Sequence, residues 1–244
     1  MRRRISLLIL SAALLAGCSS SGTVGAGTGA APGNDTRSAG PAPAGGSSTA
    51  SSPTPSGSVP ATGGLESSVV IGTGAIPVTV YEDYRCPPCK QIHDRIQPVL
   101  DQAVAAGKVK VTYHALNLVD HGGEGKGSLA AANAASCAFK AGKFQPYHDA
   151  LFAAQPDESD DAFADPATLI TIAKTIPGLD SPDFETCVTT QPYAGSIKST
   201  FAAISADPVF QGTPTILING RKWQTPSSPD QAASSFTKAL DQAG

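Results

Sequence analysis

Apolar side chains recur at helical spacing at Ile92, Ile96, Val99, Leu100 and Ala103, which predicts a helix from 90 to about 106, stopped by Gly107. Just upstream, residues 78–84 (Val-Thr-Val-Tyr-Glu-Asp-Tyr) are β-branched, aromatic and acidic and predict a strand; residues 109–118 predict a second. An Ala-rich, apolar-periodic stretch over 129–154 is expected to be one long helix with Ser128 as its N-cap. Further helices are expected over 165–176, with Pro166 in the first turn, over 181–189, opening on Ser181-Pro182-Asp183, and over 194–206. Strand character returns at 215–218 (Thr-Ile-Leu-Ile), Asn219-Gly220 is a strong short hairpin signal, and Lys222-Trp223 begins the partner strand. Ser228-Pro229-Asp230 opens a last helix to Leu240. This order predicts an α/β fold: a small mixed sheet with helices inserted in its middle, over about 123–207.

The first 64 residues carry a different pattern. Arg2, Arg3 and Arg4 precede an apolar run over 5–15, the length of a signal-peptide core and short of the ~20 residues of a membrane span. Leu15-Ala16-Gly17-Cys18 then resembles the lipobox of bacterial lipoproteins, which implies cleavage before Cys18 and a diacylglyceryl group on its thiol. Two or more acyl chains anchor a protein stably. Residues 19–64 are Ser, Gly, Ala, Thr and Pro with almost no large apolar side chains. Such a segment buries too little surface to offset its ordering entropy and is expected to be a flexible tether, spanning roughly 35–40 Å. Residues 65–244 remain as one domain. The expected location is outside the cell, on the outer face of its membrane, held by lipidated Cys18. The net charge of −3 is mild and argues against a nucleic-acid partner.

Five cysteines are present. With Cys18 assigned to the anchor, Cys86, Cys89, Cys137 and Cys187 remain, an even number for an exported chain. Cys86-Pro87-Pro88-Cys89 stands where a strand meets a helix. A cysteine there sits among unpaired N–H groups at the positive end of the helix dipole, which stabilises its thiolate. Cys86 is expected to be exposed and nucleophilic, and Cys89 to resolve. Cys137 and Cys187 are read as a structural disulfide, with two separate buried thiols as the alternative. A closed loop of that size stabilises by about 4 kcal/mol in the chain-entropy model.

The segment Tyr81-Glu82-Asp83-Tyr84-Arg85-Cys86-Pro87-Pro88-Cys89-Lys90 resembles the active-site segment of the DsbA-like branch of the thioredoxin superfamily. Gly212-Thr213-Pro214-Thr215, with the apolar strand and Asn219-Gly220 behind it, resembles that family's cis-proline loop. The resemblance covers residues 69–244 and implies a thioredoxin-like mixed sheet with an inserted helical subdomain. It implies Cys86 as nucleophile, Cys89 as resolving thiol, Pro214 in cis facing the pair, and Thr213 offering backbone groups to a substrate strand. It further implies partners: exported substrate proteins, and a membrane thiol oxidoreductase that recycles the pair. Two positions depart from the family pattern. Pro88 replaces the usual histidine and removes both an imidazole and a backbone N–H. Val80 stands where many such sites place a buried carboxylate. Glu82 or Asp83 could substitute, and strand alternation allows one of them an inward position.

His93, His114, His121 and His148 show no ligand spacing, and neither a metal nor a cofactor is expected. Gly122–Gly127 is expected to be a loop, since the phosphate-binding register Gly-x-x-x-x-Gly-Lys is absent. Three activities fit these residues: disulfide formation in exported proteins, disulfide reduction or isomerisation, and peptide binding by a lipoprotein whose disulfide is inert.

Overall fold

The computed structural model describes residues 66–122 and 125–244. The signal peptide expected over 1–18, Cys18 and the linker expected over 19–64 lie outside the described residues. Five strands form one mixed sheet in the order β1-β3-β2-β4-β5. They are β1 (Val69–Ile71), β2 (Ile76–Glu82), β3 (Val109–Ala115), β4 (Thr215–Ile218) and β5 (Arg221–Lys222). β2 and β3 run parallel, as a strand–helix–strand crossover requires, and the other pairs are antiparallel. The edge strand β1 was absent from the expected order; three residues are too few to show a period.

Helix α1 (Pro87–Ala105) crosses from β2 to β3 and buries Cys89, Ile92, Ile96, Leu100 and Ala103. It begins three residues before the expected start, because Pro87 and Pro88 occupy its first two positions. Those N–H groups would have no intrahelical partner anyway, so proline costs nothing there. Between β3 and β4 run α2 (Leu118–His121), α3 (Gly127–Lys140), α4 (Phe144–Ala153), a short 3₁₀ turn (Ala162–Ala164), α5 (Pro166–Ala173), α6 (Pro182–Thr190) and α7 (Ala194–Ser205). Helix α8 (Ala232–Asp241) closes the chain against α1. Among the described residues no helix is long and apolar enough to cross a membrane.

Two expectations for the helices are corrected. The stretch over 129–154 is two helices, broken at Gly142 (φ +69°). There Lys143 N–H donates to Ala138 O (2.8 Å) and Gly142 N–H to Phe139 O (2.9 Å), the paired bonds of a Schellman stop. Ala106-Gly107-Lys108 ends α1 with the same bonds, so Ala141-Gly142-Lys143 carried a readable signal. Nor is Ser128 an N-cap. The N–H groups opening α3 are taken by distant carboxylates: those of Lys126 and Gly127 by Asp161, those of Ser128 and Leu129 by Asp120, all at 2.9–3.0 Å. Two acidic side chains at the positive end of a helix satisfy its orphan donors better than one hydroxyl.

Candidate active site

β2 ends at Glu82, and the next four residues turn the chain into α1. Asp83 shapes the turn: its Oδ1 accepts from Arg85 N–H and its Oδ2 from Val119 N–H, both at 2.9 Å, while its carbonyl accepts from Cys86 N–H at 3.1 Å. Cys86 is thereby set as the residue that caps α1, and its carbonyl receives the N–H groups of Cys89 (3.0 Å) and Lys90 (3.3 Å). The Thr213–Pro214 peptide bond is cis, and Cys86 Sγ donates to Thr213 O at 3.4 Å. The structure therefore brings together Cys86, Cys89, Thr213 and Pro214, from opposite ends of the domain sequence.

Cys86 and Cys89 are free thiols in different surroundings. A hydrogen bond from the Cys89 thiol is the main influence that lowers the Cys86 pKa to about 7. Burial opposes it, contacts at Thr213 and at the Cys89 backbone assist it, and the charge of Asp83 pushes the other way. Cys89 lies beneath, and burial followed by its bond to Cys86 drives its pKa well above that of an ordinary thiol. Cys86 was expected to be exposed; it is 7% exposed, with Thr213 O against its Sγ. An open cleft of about 1180 Å³ adjoins it, lined by Arg85, Cys86, Val119, His121 and Thr213 among others.

The inserted helices hold this turn by contacts that sequence reading missed. Arg85, 4% exposed, places Nη1 at 3.1 Å from Asp120 Oδ1 and 2.8 Å from Asp161 Oδ1, and its Nη2 donates to Glu158 O at 2.8 Å. Gln155 Nε2 donates to the carbonyls of Tyr84 (2.8 Å) and Cys86 (3.1 Å). Nothing in sequence spacing links Arg85 to acids so far along the chain.

Glu82 and Asp83 are both buried, which corrects the expectation that alternation would admit only one. Glu82 keeps the inward face of β2 with Val78 and Val80, whereas Asp83 lies past the strand end, where alternation no longer holds. Burial raises the Asp83 pKa to about 6, against the opposing pull of its two backbone donors. Glu82 Oε1 lies 2.8 Å from His148 Nε2 on α4. A cavity of about 10 Å³ between Glu82, Cys89, His93 and Pro214 has room for one water molecule at most. For His148, burial works against the charged form, but Glu82 and Asp149 outweigh it and lift the pKa to about 9. The histidines read as scattered therefore do not all stay apart. His93 Nε2 lies 3.0 Å from Asp149 Oδ1, and its ring meets that of His148 with centroids 4.9 Å apart. Elsewhere in the domain, Cys137 and Cys187 are joined, with an S–S distance of 2.08 Å.

A parallel β–α–β unit carrying a dithiol at the helix mouth, opposite a cis-proline loop and roofed by inserted helices, is the architecture of thioredoxin-fold proteins of the helically extended kind. The family model described as Thioredoxin matches residues 65–241, and the chain belongs to that family, in its DsbA-like branch. The curated protein "Disulfide bond formation protein D" of Bacillus subtilis (strain 168) is 27% identical over 181 residues, 72% of this chain and 78% of that protein. Oxidised DsbA of Mycobacterium tuberculosis is 25% identical with a TM-score of 0.58, covering 72% of this chain and 97% of that one. The reduced disulfide oxidoreductase DsbG of the same organism is 26% identical with a TM-score of 0.55, covering 69% and 82%. These relatives are thiol–disulfide oxidoreductases.

Proposed function

We propose that this chain forms disulfide bonds in exported proteins by dithiol–disulfide exchange, with Cys86 as nucleophile and Cys89 as resolving thiol. The observation that carries the reading is the asymmetry of the pair. Cys86, with its pKa lowered to about 7, adjoins the open cleft, while Cys89 lies beneath it with its pKa raised. In the oxidised enzyme a substrate thiolate attacks Cys86 Sγ, the Cys86–Cys89 bond breaks, and Cys89 leaves and takes up a proton. Its raised pKa favours that neutral thiol. A second substrate thiolate then attacks the substrate sulfur of the mixed disulfide. The substrate disulfide forms, and Cys86 departs as a thiolate, which its lowered pKa favours. Two electrons pass from substrate to the pair, and a membrane thiol oxidoreductase of the same exchange chemistry removes them. Thr213 and Pro214 receive the substrate strand beside the pair. Cys137–Cys187 is a structural disulfide with no part in turnover, and Cys18 carries the lipid that holds the domain at the outer face of the membrane.

A non-reducing gel of two variants tests the assignment. In Cys89→Ala the mixed disulfide forms by attack of the Cys86 thiolate on a substrate disulfide, and the intramolecular return through Cys89 is gone, so reductant-sensitive complexes with exported proteins accumulate, whereas Cys86→Ala accumulates few. Trapping by Cys86→Ala alone would invert the two roles. Trapping by neither would favour an inert peptide-binding lipoprotein.

A further inference from the structure

Among the described residues, one group of three side chains outside the dithiol is placed to hold a metal ion. His93 on α1 and the adjacent pair His148 and Asp149 on α4 each offer one ligand atom, and these atoms all lie within 4.8 Å of one another. Asp149 Oδ1 is 3.0 Å from His93 Nε2 and 3.6 Å from His148 Nδ1. Ligands about 2.0–2.2 Å from a tetrahedral ion stand roughly 3.3–3.5 Å from each other, so small side-chain rotations would accommodate one.

Two further observations point the cluster at a cation. His148 is fully buried, and its Nδ1, which faces Asp149, has no hydrogen-bond partner. A buried ring nitrogen without a partner costs free energy that a metal bond would recover. The other nitrogen of each ring is already held by a carboxylate: His148 Nε2 by Glu82 at 2.8 Å, and His93 Nδ1 by Asp94 at 3.4 Å. That carboxylate–histidine arrangement orients imidazoles and raises their basicity as ligands. Three carboxylates thus surround two imidazoles; among the described residues the lysine paired with them is Lys90, 3.1 Å from Asp94, and a metal at His148 Nδ1 would replace the proton that Glu82 and Asp149 favour on that ring. Gln145 Nε2 also donates to Asp149 Oδ1 at 3.2 Å, a bond that a metal would share or displace. Asp149 is 46% exposed and His93 10%, which leaves a route in from solvent.

We propose that His93 Nε2, His148 Nδ1 and Asp149 Oδ1 form a binding site for one divalent transition metal of the Zn²⁺ class. Two imidazoles and one carboxylate suit Zn²⁺ rather than Ca²⁺ or Mg²⁺, which prefer all-oxygen shells. Water would fill the fourth position. The ion would tie the helix that carries the dithiol to the inserted helices, without touching either redox sulfur.

The test uses the full chain without an affinity tag, in detergent, with Cys86–Cys89 closed and other thiols alkylated so that no thiolate competes. Calorimetry with Zn²⁺, and visible absorbance with Co²⁺ as a spectroscopic substitute, are expected to show one equivalent bound with imidazole and carboxylate ligands. His93→Ala and Asp149→Ala should each weaken Zn²⁺ binding at least 10-fold, and Asp94→Asn should weaken it measurably, as outer-shell changes do. Zn²⁺ should raise the thermal midpoint of the unaltered chain and not that of Asp149→Ala. The half-exposed position of Asp149 keeps that variant folded should His93→Ala not be. No Zn²⁺ bound at millimolar concentration, or binding unaltered by Asp149→Ala, would overturn the proposal.

Discussion

Cys86 and its immediate neighbours illustrate how little chemistry separates one dithiol site from another. The two prolines make Cys89 the first residue of α1 with a backbone N–H, and that N–H also donates to Cys86 O, so the Cys86 thiolate leans chiefly on the Cys89 thiol rather than on a ring of amides. Its pKa of about 7 is near the thioredoxin value of ~7 and well above the ~3.5 of DsbA. The reduction potential is therefore expected between about −270 and −120 mV, measurable by equilibration with glutathione. Pro88→His restores an N–H and adds an imidazole. Hydrogen bonds to a charged group contribute about 1.5–3 kcal/mol, so the Cys86 pKa should fall by about one to two units and the pair should become more oxidising. Thiolate absorbance titrated against pH checks this, and a rise would contradict it. Asp83 acts in the opposite sense, because its carboxylate raises the Cys86 pKa. Asp83→Asn should lower it, in the same titration.

Among the elements, the inserted helices do more than cover the sheet. Arg85, next to the proposed nucleophile, is an almost fully buried cation whose acids come from α2 and from the segment after α4. Arg85→Ala leaves Asp120 and Asp161 with their backbone donors from α3 but without their cation, and should cost about 1.5–3 kcal/mol of stability by denaturant unfolding. A loss under 1 kcal/mol would mean that water already screens them. The Cys137–Cys187 bridge works within the insertion, joining α3 to α6 across 50 residues. Replacing both cysteines by Ser should remove about 4 kcal/mol in the chain-entropy model while most exchange activity persists below the new transition. Thermal melts and an insulin-reduction assay separate the two effects, and lost activity in a folded double variant would assign the pair a redox part.

For the whole molecule, Asp83 couples the site to stability. Its folded pKa of about 6 exceeds the ordinary 3.8, so the folded state holds this proton more tightly. Below pH ~4 both states are protonated and the folded state bears no cost. As pH rises from ~4 to ~6 the unfolded chain ionises first and stability falls, by about 3 kcal/mol once both are ionised. Asp83→Asn should flatten that part of the stability–pH curve in urea unfolding; an unchanged slope would show that the carboxyl does not hold its proton there. Cellular placement rests on the proposed anchor, and Cys18→Ala should move the protein from the membrane fraction to the soluble exported fraction. Retention in the membrane would contradict lipidation.

Local pattern determined much of this. Periodicity located α1, β4, α5, α6 and α7 within a few residues, because each carries its own cap, stop or apolar repeat. Asn219-Gly220 marked its hairpin because both residues take positive φ (49° and 74°). The Cys-x-x-Cys and the Thr-Pro carried the family resemblance in a few consecutive letters. Tertiary structure alone decided what depends on distance in space. It brought Thr213 to Cys86, gave α3 its caps from Asp120 and Asp161, buried both Glu82 and Asp83, and set His148 beside His93. Charges and ring nitrogens carry no sequence period, so their partners become visible only when packing excludes water and each buried polar group must find another.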